Sequence, residues 1–357
     1  MPLRRVQVTD FRCLHQAGLD LDPAFTLISG SNASGKTSLL EAIYLLGRGR
    51  SFRTRRLDHL IRTGAERMII FGEAEVSERR VTLGVEGSAE GLRAKLGGER
   101  VASLAELASA LPVQVIDPEV HRLIEEGPGR RRRLLDWGVF HVEPGFVGHW
   151  QKYQQVLRQR NAALRTGQPT AVITAWDGDL IRYGELITEA RTRYIAQLTP
   201  IAQSLARNLL ELELGLSYRT GWARELTFRE ALGKSWRQDQ DSLATQVGAQ
   251  RAELVIRVDG LPAKDRISRG QQKLLAAVLL LSQIRLLPSE SGVRPTLLLD
   301  DPAAELDARR LGALIRAVQA QPLQLVVTTL QEELAEFAEF GTPGRRYRME
   351  QGTLRAV

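Results

Sequence analysis

Eight consecutive residues, from Gly30 to Thr37, have the types and the order that hold phosphate groups. They read Gly30-Ser31-Asn32-Ala33-Ser34-Gly35-Lys36-Thr37, with Ser38 next, and fit the pattern GxxxxGK[ST]. Glycines let backbone N–H groups turn toward phosphate oxygens, and a helix that starts here adds partial positive charge. Lys36 would reach the β- and γ-phosphates, and the Thr37 hydroxyl would ligate Mg²⁺. The pattern therefore predicts a site for ATP with Mg²⁺.

A second candidate lies where an apolar run, Thr296-Leu297-Leu298-Leu299, ends in two carboxylates. Asp300 would hold Mg²⁺ opposite Thr37, and Asp301 would orient or deprotonate the attacking water. The next apolar run ends in Thr328 and Thr329, whose hydroxyls could bond a γ-phosphate or that water. The alternative for all four residues is that they only end their strands.

A third motif, Ser268-Arg269-Gly270-Gln271-Gln272-Lys273, precedes the acids by about 30 residues and opens a helical pattern. Ser268 can cap that helix, so its hydroxyl and the exposed N–H groups form a second anion site. A phosphate loop needs no second such site in its own subunit. The motif therefore predicts that Ser268, Gly270 and Gln271 serve a partner's γ-phosphate, and that two copies dimerise around ATP. Asp307 ends a small-residue turn, Pro302–Asp307, that could line the dimer interface; an ordinary cap and an ordinary turn are the alternatives.

The elements that position these motifs have an α/β pattern at both ends of the chain. Strands are predicted at Arg4–Thr9 and Phe25–Ser29, and a helix from Thr37 to Leu46. Between the ends the pattern is mostly helical, with breaks predicted at Pro144-Gly145, Gly167–Pro169 and Pro200 and a long helix over Asp177–Leu214. We therefore predict an ATPase head of mixed sheets from residues 1–105 and 251–357, with a largely helical lobe inserted at 106–250.

Composition narrows the remaining classes. The chain has 357 residues, of which 43% are hydrophobic and 25% charged, and no apolar run reaches the roughly 18 residues of a membrane span. The start of the chain lacks the pattern of a signal peptide, and the single cysteine, Cys13, fits a reducing cytoplasm. The five histidines show no zinc-ligand spacing and no persuasive Ser-His-Asp arrangement.

The charge balance points to a polyanionic partner. Net charge is +7, which suits nucleic acid or an anionic membrane surface. One candidate contact is the run Arg130–Arg133, which equally fits a salt-bridged helix start. Another is the group Arg50, Arg53, Arg55 and Arg56, among which Phe52 could stack on a base, although burial in the core is favoured.

The order of these motifs resembles the ABC-type ATPase heads of the SMC class, and more narrowly the RecF family. The narrower resemblance rests on several further segments over nearly the full length: Asp10-Phe11-Arg12, Asn32–Ile43, Gly49–Arg53, Asp117-Pro118-Glu119, Gly127–Arg133, Leu135-Asp136 and Gln159-Arg160-Asn161. The resemblance implies an ABC-type head and adds Arg12 to the expected nucleotide-binding residues.

The resemblance also implies a function. It implies an ATP-bound homodimer that binds DNA near junctions of single and double strands. It further implies cooperation with RecR and RecO to load RecA at gaps, with roles in recombination, replication restart and the SOS response. In general ABC-type heads the second acid is a glutamate, whereas here it is Asp301, and this departure predicts slow hydrolysis. The usual switch histidine is replaced near Thr328 or Thr329.

Two other classes share the phosphate loop. A transporter-type nucleotide-binding subunit would have a membrane protein as partner, and the helical insertion and the basic charge argue against it. An SMC-like chromosome-organising ATPase would need long coiled-coil arms, but the insertion is short and lacks a sustained heptad pattern. DNA binding that weakens with salt separates the RecF-like prediction from the transporter class.

Overall fold

The fold is seen in a computed structural model that describes residues 2–76, 79–287, 294–304, 307–330 and 344–357. The chain divides into two compact units, Met1–Val120 with Pro288–Val357, and His121–Leu287. The head predicted at 1–105 and 251–357 thus differs at both borders from the first unit. Residues 113–116 form a strand of the first unit's sheet, whereas residues 253–258 pair with a strand of the second unit.

The described strands form three sheets. A six-stranded antiparallel sheet of the first unit has the order β2-β1-β4-β5-β6-β7: β1 Leu3–Phe11, β2 Leu14–Asp20, β4 Arg67–Val76, β5 Arg79–Ser88, β6 Gly91–Leu96 and β7 Glu99–Arg100. A second six-stranded sheet has the order β15-β14-β3-β13-β12-β8: β3 Phe25–Gly30, β8 Val113–Ile116, β12 Thr296–Asp300, β13 Gln324–Thr329, β14 Arg345–Glu350 and β15 Thr353–Ala356. The second unit holds three strands: β9 Leu214–Arg219, β10 Glu253–Val258 and β11 Leu261–Pro262.

The second sheet is parallel from β14 to β8, with only β15 antiparallel. Its inner strands are continuous apolar runs because both faces are covered, and every residue of β12 and β13 is buried. Their register pairs Asp300 with Thr328 and Thr329 with Ser29. The carboxyl ends of three neighbouring strands therefore meet at one edge, where the phosphate loop begins.

Eleven helices are described in full: α1 Lys36–Arg48, α2 Leu104–Ala110, α3 Arg122–Glu125, α4 Pro128–Val142, α5 Phe146–Arg165, α6 Thr170–Thr174, α7 Asp177–Leu210, α8 Phe228–Ser242, α9 Ala263–Arg266, α10 Arg269–Leu286 and α11 Ala308–Gln319. In the first unit α1 packs against strands of both sheets. Nearly all of its residues are buried, which explains why it is apolar around most of its circumference. One continuous core joins α1 to both sheets, so the phosphate loop stands on a rigid base.

The second unit is built around α7, which contacts α4, α5, α8, α10 and β9. The predicted break at Pro200 is wrong, because α7, which is 34 residues long, continues through this proline. A proline inside a helix leaves a carbonyl without its donor. At Pro200 that carbonyl is Ala196 O, four residues earlier, while Leu198 and Ala202 are buried beside the proline. Burial of this face outweighs the missing hydrogen bond. The helix ends at Leu210 rather than at the predicted Leu214, where β9 begins.

Two buried arginines form ion pairs that join α7 to neighbouring helices. Arg160 of α5 donates to Asp177 and Asp239, each at 2.7 Å. Arg191 of α7 pairs with Asp136 of α4 at 2.7 Å. A buried guanidinium is tolerated only when it is paired, so these contacts fix the helices in one arrangement. Among the residues described, no helix is both long and apolar enough to cross a membrane.

Candidate nucleotide-binding site

The phosphate loop leaves β3 and turns into α1 in a backbone form that two glycines permit. A Cβ on Gly30 would lie 2.3 Å from Met349 O of the neighbouring strand β14. Gly35 packs against Leu14 and Met349 and has a φ of +111°, a left-handed value that strains any residue with a side chain. Ser34 O accepts from Gly352 N at 2.8 Å. The hairpin of β14 and β15 therefore packs against the phosphate loop and holds it through this hydrogen bond.

Lys36 is the first residue of α1, and its ammonium spans the loop. Lys36 Nζ donates to Gly30 O at 2.7 Å and to Ser31 O at 2.9 Å. Burial lowers the pKa of Lys36 below its ordinary value of 10.5, while the nearby charges of Asp301 and Asp300 oppose part of that shift. The side chain is thus held at the mouth of the loop, within reach of the charges of both acids.

Thr37 and Asp300 meet across the ends of α1 and β12. Thr37 Oγ1 lies 3.0 Å and 2.9 Å from Asp300 Oδ1 and Oδ2. Thr328, directly beside Asp300 in the sheet, donates its hydroxyl to Asp300 Oδ1 at 2.9 Å. Asp300 and Thr328 are both buried, so the carboxylate is fixed by its neighbours.

Asp301 has a different environment, set by its backbone. Its φ is +46°, a left-handed value that costs an L-residue free energy. Asp301 N donates to Thr328 O and also to Thr328 Oγ1, each at 3.2 Å. Thr328 therefore contacts the carboxylate of Asp300 and the backbone of Asp301, and Asp301 itself is half-buried.

The oxygens present fit Mg²⁺. Two neighbouring ligands of an octahedral Mg²⁺ stand about 2.9 Å apart, since each bond is about 2.05 Å. The Thr37 hydroxyl and a carboxylate oxygen of Asp300 already have this separation. In the loop itself, Ser34 Oγ is buried and has no hydrogen-bond partner within the described ranges. A buried hydroxyl of this kind suits a phosphate oxygen as its acceptor.

Of the remaining residues predicted in the first unit, Ser38 is buried in α1 and its hydroxyl lies 3.5 Å from Cys13 Sγ. Asn32 and Ala33 are exposed at the tip of the loop, where Ala33 has a φ of +60°. Arg12 forms a bidentate pair with Glu41 of α1, at 2.9 Å and 2.8 Å. Arg12 therefore reaches the helix that carries the loop.

In the second unit, the segment that begins at Ser268 forms a complete capping box at the start of α10. Gln271 N donates to Ser268 Oγ at 3.4 Å, and Ser268 N donates to Gln271 Oε1 at 3.0 Å. Ser268 is exposed and Gly270 is half-buried. The first N–H groups of a helix have no acceptor within it, so this end can hold an anion.

Asp307 also caps a helix, since its carboxylate accepts from Arg310 N at 2.9 Å at the start of α11. Asp307 is exposed. The predicted turn from Pro302 runs through Glu305 and Leu306, which lie outside the described residues. The cap accounts for the local role of Asp307, while its part in a dimer stays a prediction.

The two arginine groups differ in their contacts. Arg131 makes a bidentate pair with Glu253, at 2.8 Å and 2.9 Å, and Arg132 donates to Ala252 O at 2.9 Å. The run Arg130–Arg133 is half-buried along its length. By contrast the group Arg50, Arg53, Arg55 and Arg56 is exposed. Phe52 packs edge-on against Tyr44 at 5.3 Å and contributes to the core.

Two contributions to the site have no recognisable local motif. The supporting hairpin at Met349–Gly352 lies far along the chain, and its alternation marks it as an ordinary strand pair. Glu41 is a charged residue with 0% exposure in an otherwise apolar stretch of α1. A buried acid among leucines is the signal that could have indicated a paired arginine.

The chain resembles known proteins over its whole length. The family described as RecF/RecN/SMC N terminal domain matches residues 2–352. The DNA replication and repair protein RecF of Thioalkalivibrio sulfidiphilus is 38% identical over 358 residues, with 99% of each chain covered. The protein of the same name from Pseudomonas entomophila is 40% identical over 359 residues, covering 99% of this chain and 98% of the relative.

Solved structures agree with this result. The recombination mediator protein RecF-ATP in the RecFOR pathway is 26% identical, with a TM-score of 0.89 over 100% of this chain and 97% of that one. An Smc head bound to the C-winged helix domain of ScpA is 15% identical with a TM-score of 0.61, which speaks for the fold. The predicted ABC-type head with mixed sheets is confirmed. On its sequence and its fold, the chain belongs to the RecF family.

Proposed function

We propose that this protein is an ATP-dependent DNA-binding protein of recombinational repair and replication restart. ATP joins two copies on DNA near junctions of single and double strands, and slow hydrolysis separates them again. The dimer helps to load RecA at gaps, with RecR and RecO as partners, as part of the SOS response in the cytoplasm. The observation that carries the proposal is the meeting of Lys36, Thr37, Asp300 and Asp301 at one sheet edge.

The chemistry is transfer of the γ-phosphoryl group to water. Lys36 and the start of α1 neutralise phosphate charge, while Thr37 and Asp300 would hold Mg²⁺, which supplies further positive charge. Asp301 acts as the base that orients the water. Its side chain is one methylene shorter than the glutamate usual in ABC-type heads, so it reaches less far. We therefore propose a weak ATPase whose slow hydrolysis sets the lifetime of the ATP-bound dimer.

The proposed dimerisation rests on the exposed capping residues at the start of α10. Ser268, Gly270 and Gln271 present a hydroxyl and helix N–H groups, which together suit the γ-phosphate held by a second copy. ATP bound between two copies stabilises the dimer by mass action, and loss of the γ-phosphate removes that stabilisation. Asp307, exposed at the start of α11, is proposed to lie in the same interface.

DNA is the proposed polyanion, and the exposed group Arg50, Arg53, Arg55 and Arg56 is the proposed contact. The group follows α1 directly, so it is carried by the helix that bears the phosphate loop. The run Arg130–Arg133 is less suited, because it is half-buried whereas the residues of the other group are exposed. Binding through phosphate contacts should weaken as salt rises.

The test is light scattering after size exclusion, with and without ATP and Mg²⁺, on the wild type and on Lys36→Met. Each protein is run alone and with a gapped DNA duplex. We expect a dimer that retains DNA in the wild type with ATP, and a monomer without retained DNA in Lys36→Met. A wild-type mass that stays the same when ATP is added, with no DNA retained, would contradict the proposal. An ATP-dependent dimer that retains no DNA would favour the transporter-type alternative.

A further inference from the structure

Glu41 is a carboxylate buried within α1 that belongs to neither the phosphate loop nor the acid strand. Its exposure is 0%, and a charge so placed requires partners. Oε1 accepts from Arg12 Nη2 at 2.8 Å and from the Ser51 hydroxyl. Oε2 accepts from Arg12 Nε at 2.9 Å and forms a longer ion pair with Arg53 Nη1 at 3.5 Å. Each oxygen of Glu41 therefore contacts two different segments of the chain, one at Arg12 and one at residues 51–53.

The first part is the turn between β1 and β2, which lies against the phosphate loop. Cys13 of this turn and Leu14, the first residue of β2, pack on Gly35. Arg12 has a φ of +54°, a strained value for an arginine, so its backbone position is held by surrounding contacts. Two of its five N–H donors face Glu41, and one fifth of its side chain remains exposed. Glu41 thus fixes a guanidinium that still has donors for a phosphate.

The second part is the basic segment 50–56. The Ser51 hydroxyl donates to Glu41 and accepts from Arg53 N at 2.9 Å and from Thr54 N at 3.0 Å. This single hydroxyl therefore sets the shape of the turn that presents the exposed arginines. The Arg53 side chain reaches back to the same carboxylate. Without Glu41 the segment would keep the contact of Phe52 with Tyr44 but lose its hydrogen-bonded anchor to α1.

The position of Glu41 on α1 connects it to the site. Thr37 and Glu41 are four residues apart, so they lie on the same face of the helix, one turn from each other. Thr37 faces Asp300 at the end of β12. Any ordering of the first turn of α1 is therefore passed to Glu41 through rigid helix rather than through a flexible loop.

We propose that Glu41 is a positioning residue that couples ATP binding to DNA binding within one subunit, by anchoring both Arg12 and the turn at Ser51–Thr54. The inference rests on the proposed function, because it assumes that ATP approaches Arg12 and that DNA approaches the basic segment. ATP orders Arg12 and with it Glu41, so DNA then meets a segment that is already ordered. Coupling is reciprocal, so DNA tightens ATP binding by the same factor.

The experiment measures DNA affinity with and without saturating ATP and Mg²⁺, by fluorescence anisotropy of a short gapped duplex. The wild-type ratio of the two affinities should fall in the range of about 5- to 150-fold. Glu41→Gln keeps the side-chain volume but loses the charge, and it should bring the ratio to within about twofold of one. Ser51→Ala removes the hydroxyl that joins Glu41 to the basic segment, keeps the pairs of Glu41 with Arg12 and Arg53, and should also lower the ratio.

Arg53 and Arg56 supply a matched pair. Each substitution to glutamine removes one exposed cation, but Arg56 pairs with Asp58 rather than with Glu41. Arg56→Gln should weaken DNA binding by the same factor with and without ATP, and so keep the ratio. Arg53→Gln should lower the ratio as well. Light scattering with ATP checks that the Glu41→Gln protein still forms the dimer.

The outcomes separate this inference from the function on which it rests. A wild-type protein that binds neither ATP nor DNA overturns the proposed function and the coupling together. A wild-type ratio well above one that Glu41→Gln and Ser51→Ala both preserve overturns the role of Glu41 alone. Loss of the ATP-dependent dimer in folded Glu41→Gln also overturns it, because the residue would then act through the dimer.

Discussion

Thr37 Oγ1 lies 2.9 Å from Asp300 Oδ2, although 263 residues separate the two along the chain. The contact joins the first turn of α1 to the end of β12, and it leaves both oxygens correctly spaced for one Mg²⁺. Parallel pairing of β3, β13 and β12 creates it, since the carboxyl ends of all three strands share an edge.

Asp300→Ala should abolish ATP hydrolysis that depends on Mg²⁺, with a loss of at least about 100-fold in kcat. The reason is that the carboxylate is the acid held beside Thr37. Isothermal titration should show that ATP binding without metal weakens far less than binding with Mg²⁺. Equal weakening in both conditions would assign Asp300 a structural role only.

Asp301→Asn should trap the ATP-bound dimer, because asparagine cannot accept a proton from water. Asparagine tolerates a left-handed φ, so the turn held by Thr328 should survive. We expect single-turnover hydrolysis to fall by about 100-fold or more, with a correspondingly longer dimer lifetime. Hydrolysis at the wild-type rate would show that another group activates the water.

Ser268→Asp separates capping from phosphate contact. Aspartate caps a helix as well as serine does, so the melting temperature should change little. Its negative charge would repel the γ-phosphate of the partner subunit, so ATP binding by the monomer should persist while the dimer is lost. Light scattering measures the mass and a fluorescent ATP analogue measures the binding. A normal ATP-dependent dimer in this variant would be incompatible with a shared site.

Gly30→Ala tests the support of the loop by β14. The new methyl group would lie 2.3 Å from Met349 O, a backbone atom fixed in the sheet. We expect a stability loss of about 1–3 kcal/mol together with weaker ATP binding. Gly84→Ala in β5 is the control, since its Cβ would meet nothing closer than Lys95 Cβ at 3.9 Å. Thermal unfolding in which both variants behave alike would contradict the close approach.

ATP affinity should fall with rising pH before the ordinary lysine pKa of 10.5 is reached. Burial lowers the pKa of Lys36 in the free protein, and phosphate binding needs the charged form. Below the ordinary value, affinity should therefore already decline with rising pH in the wild type. Lys36→Arg, which stays charged, should show a flat profile over the same range.

The lowered pKa of Lys36 affects folding stability in the opposite direction to ATP affinity as the pH rises. Because the pKa of Lys36 is lowered on folding, the unfolded chain binds more protons between the folded-state pKa and 10.5. Stability should therefore rise with pH across that window, while ATP affinity falls. Comparing wild type with Lys36→Met by urea unfolding isolates this contribution, and identical pH profiles for the two would contradict it.

Much of the site could be predicted because its chemistry is local in sequence. The phosphate loop, the acids after Leu299 and the cap at Ser268 each depend on neighbours within a few residues. The inner strands β3, β12 and β13 of the second sheet were also predictable, since burial on both faces favours apolar runs. The chain's membership of the RecF family follows from the same segments.

Long-range contacts decided the rest. The helix through Pro200 persists because tertiary burial outweighs a missing hydrogen bond, and the borders of the units follow strand pairings that no local pattern specifies. Arg131 was equally plausible as a DNA contact until Glu253 was found to hold it. Glu41 gains its partners from two separate loops, which only the folded chain brings to one carboxylate. Sequence by itself determined which groups are candidates for the chemistry, whereas the tertiary structure decided their partners, because pairing energy depends on distance in space and not along the chain.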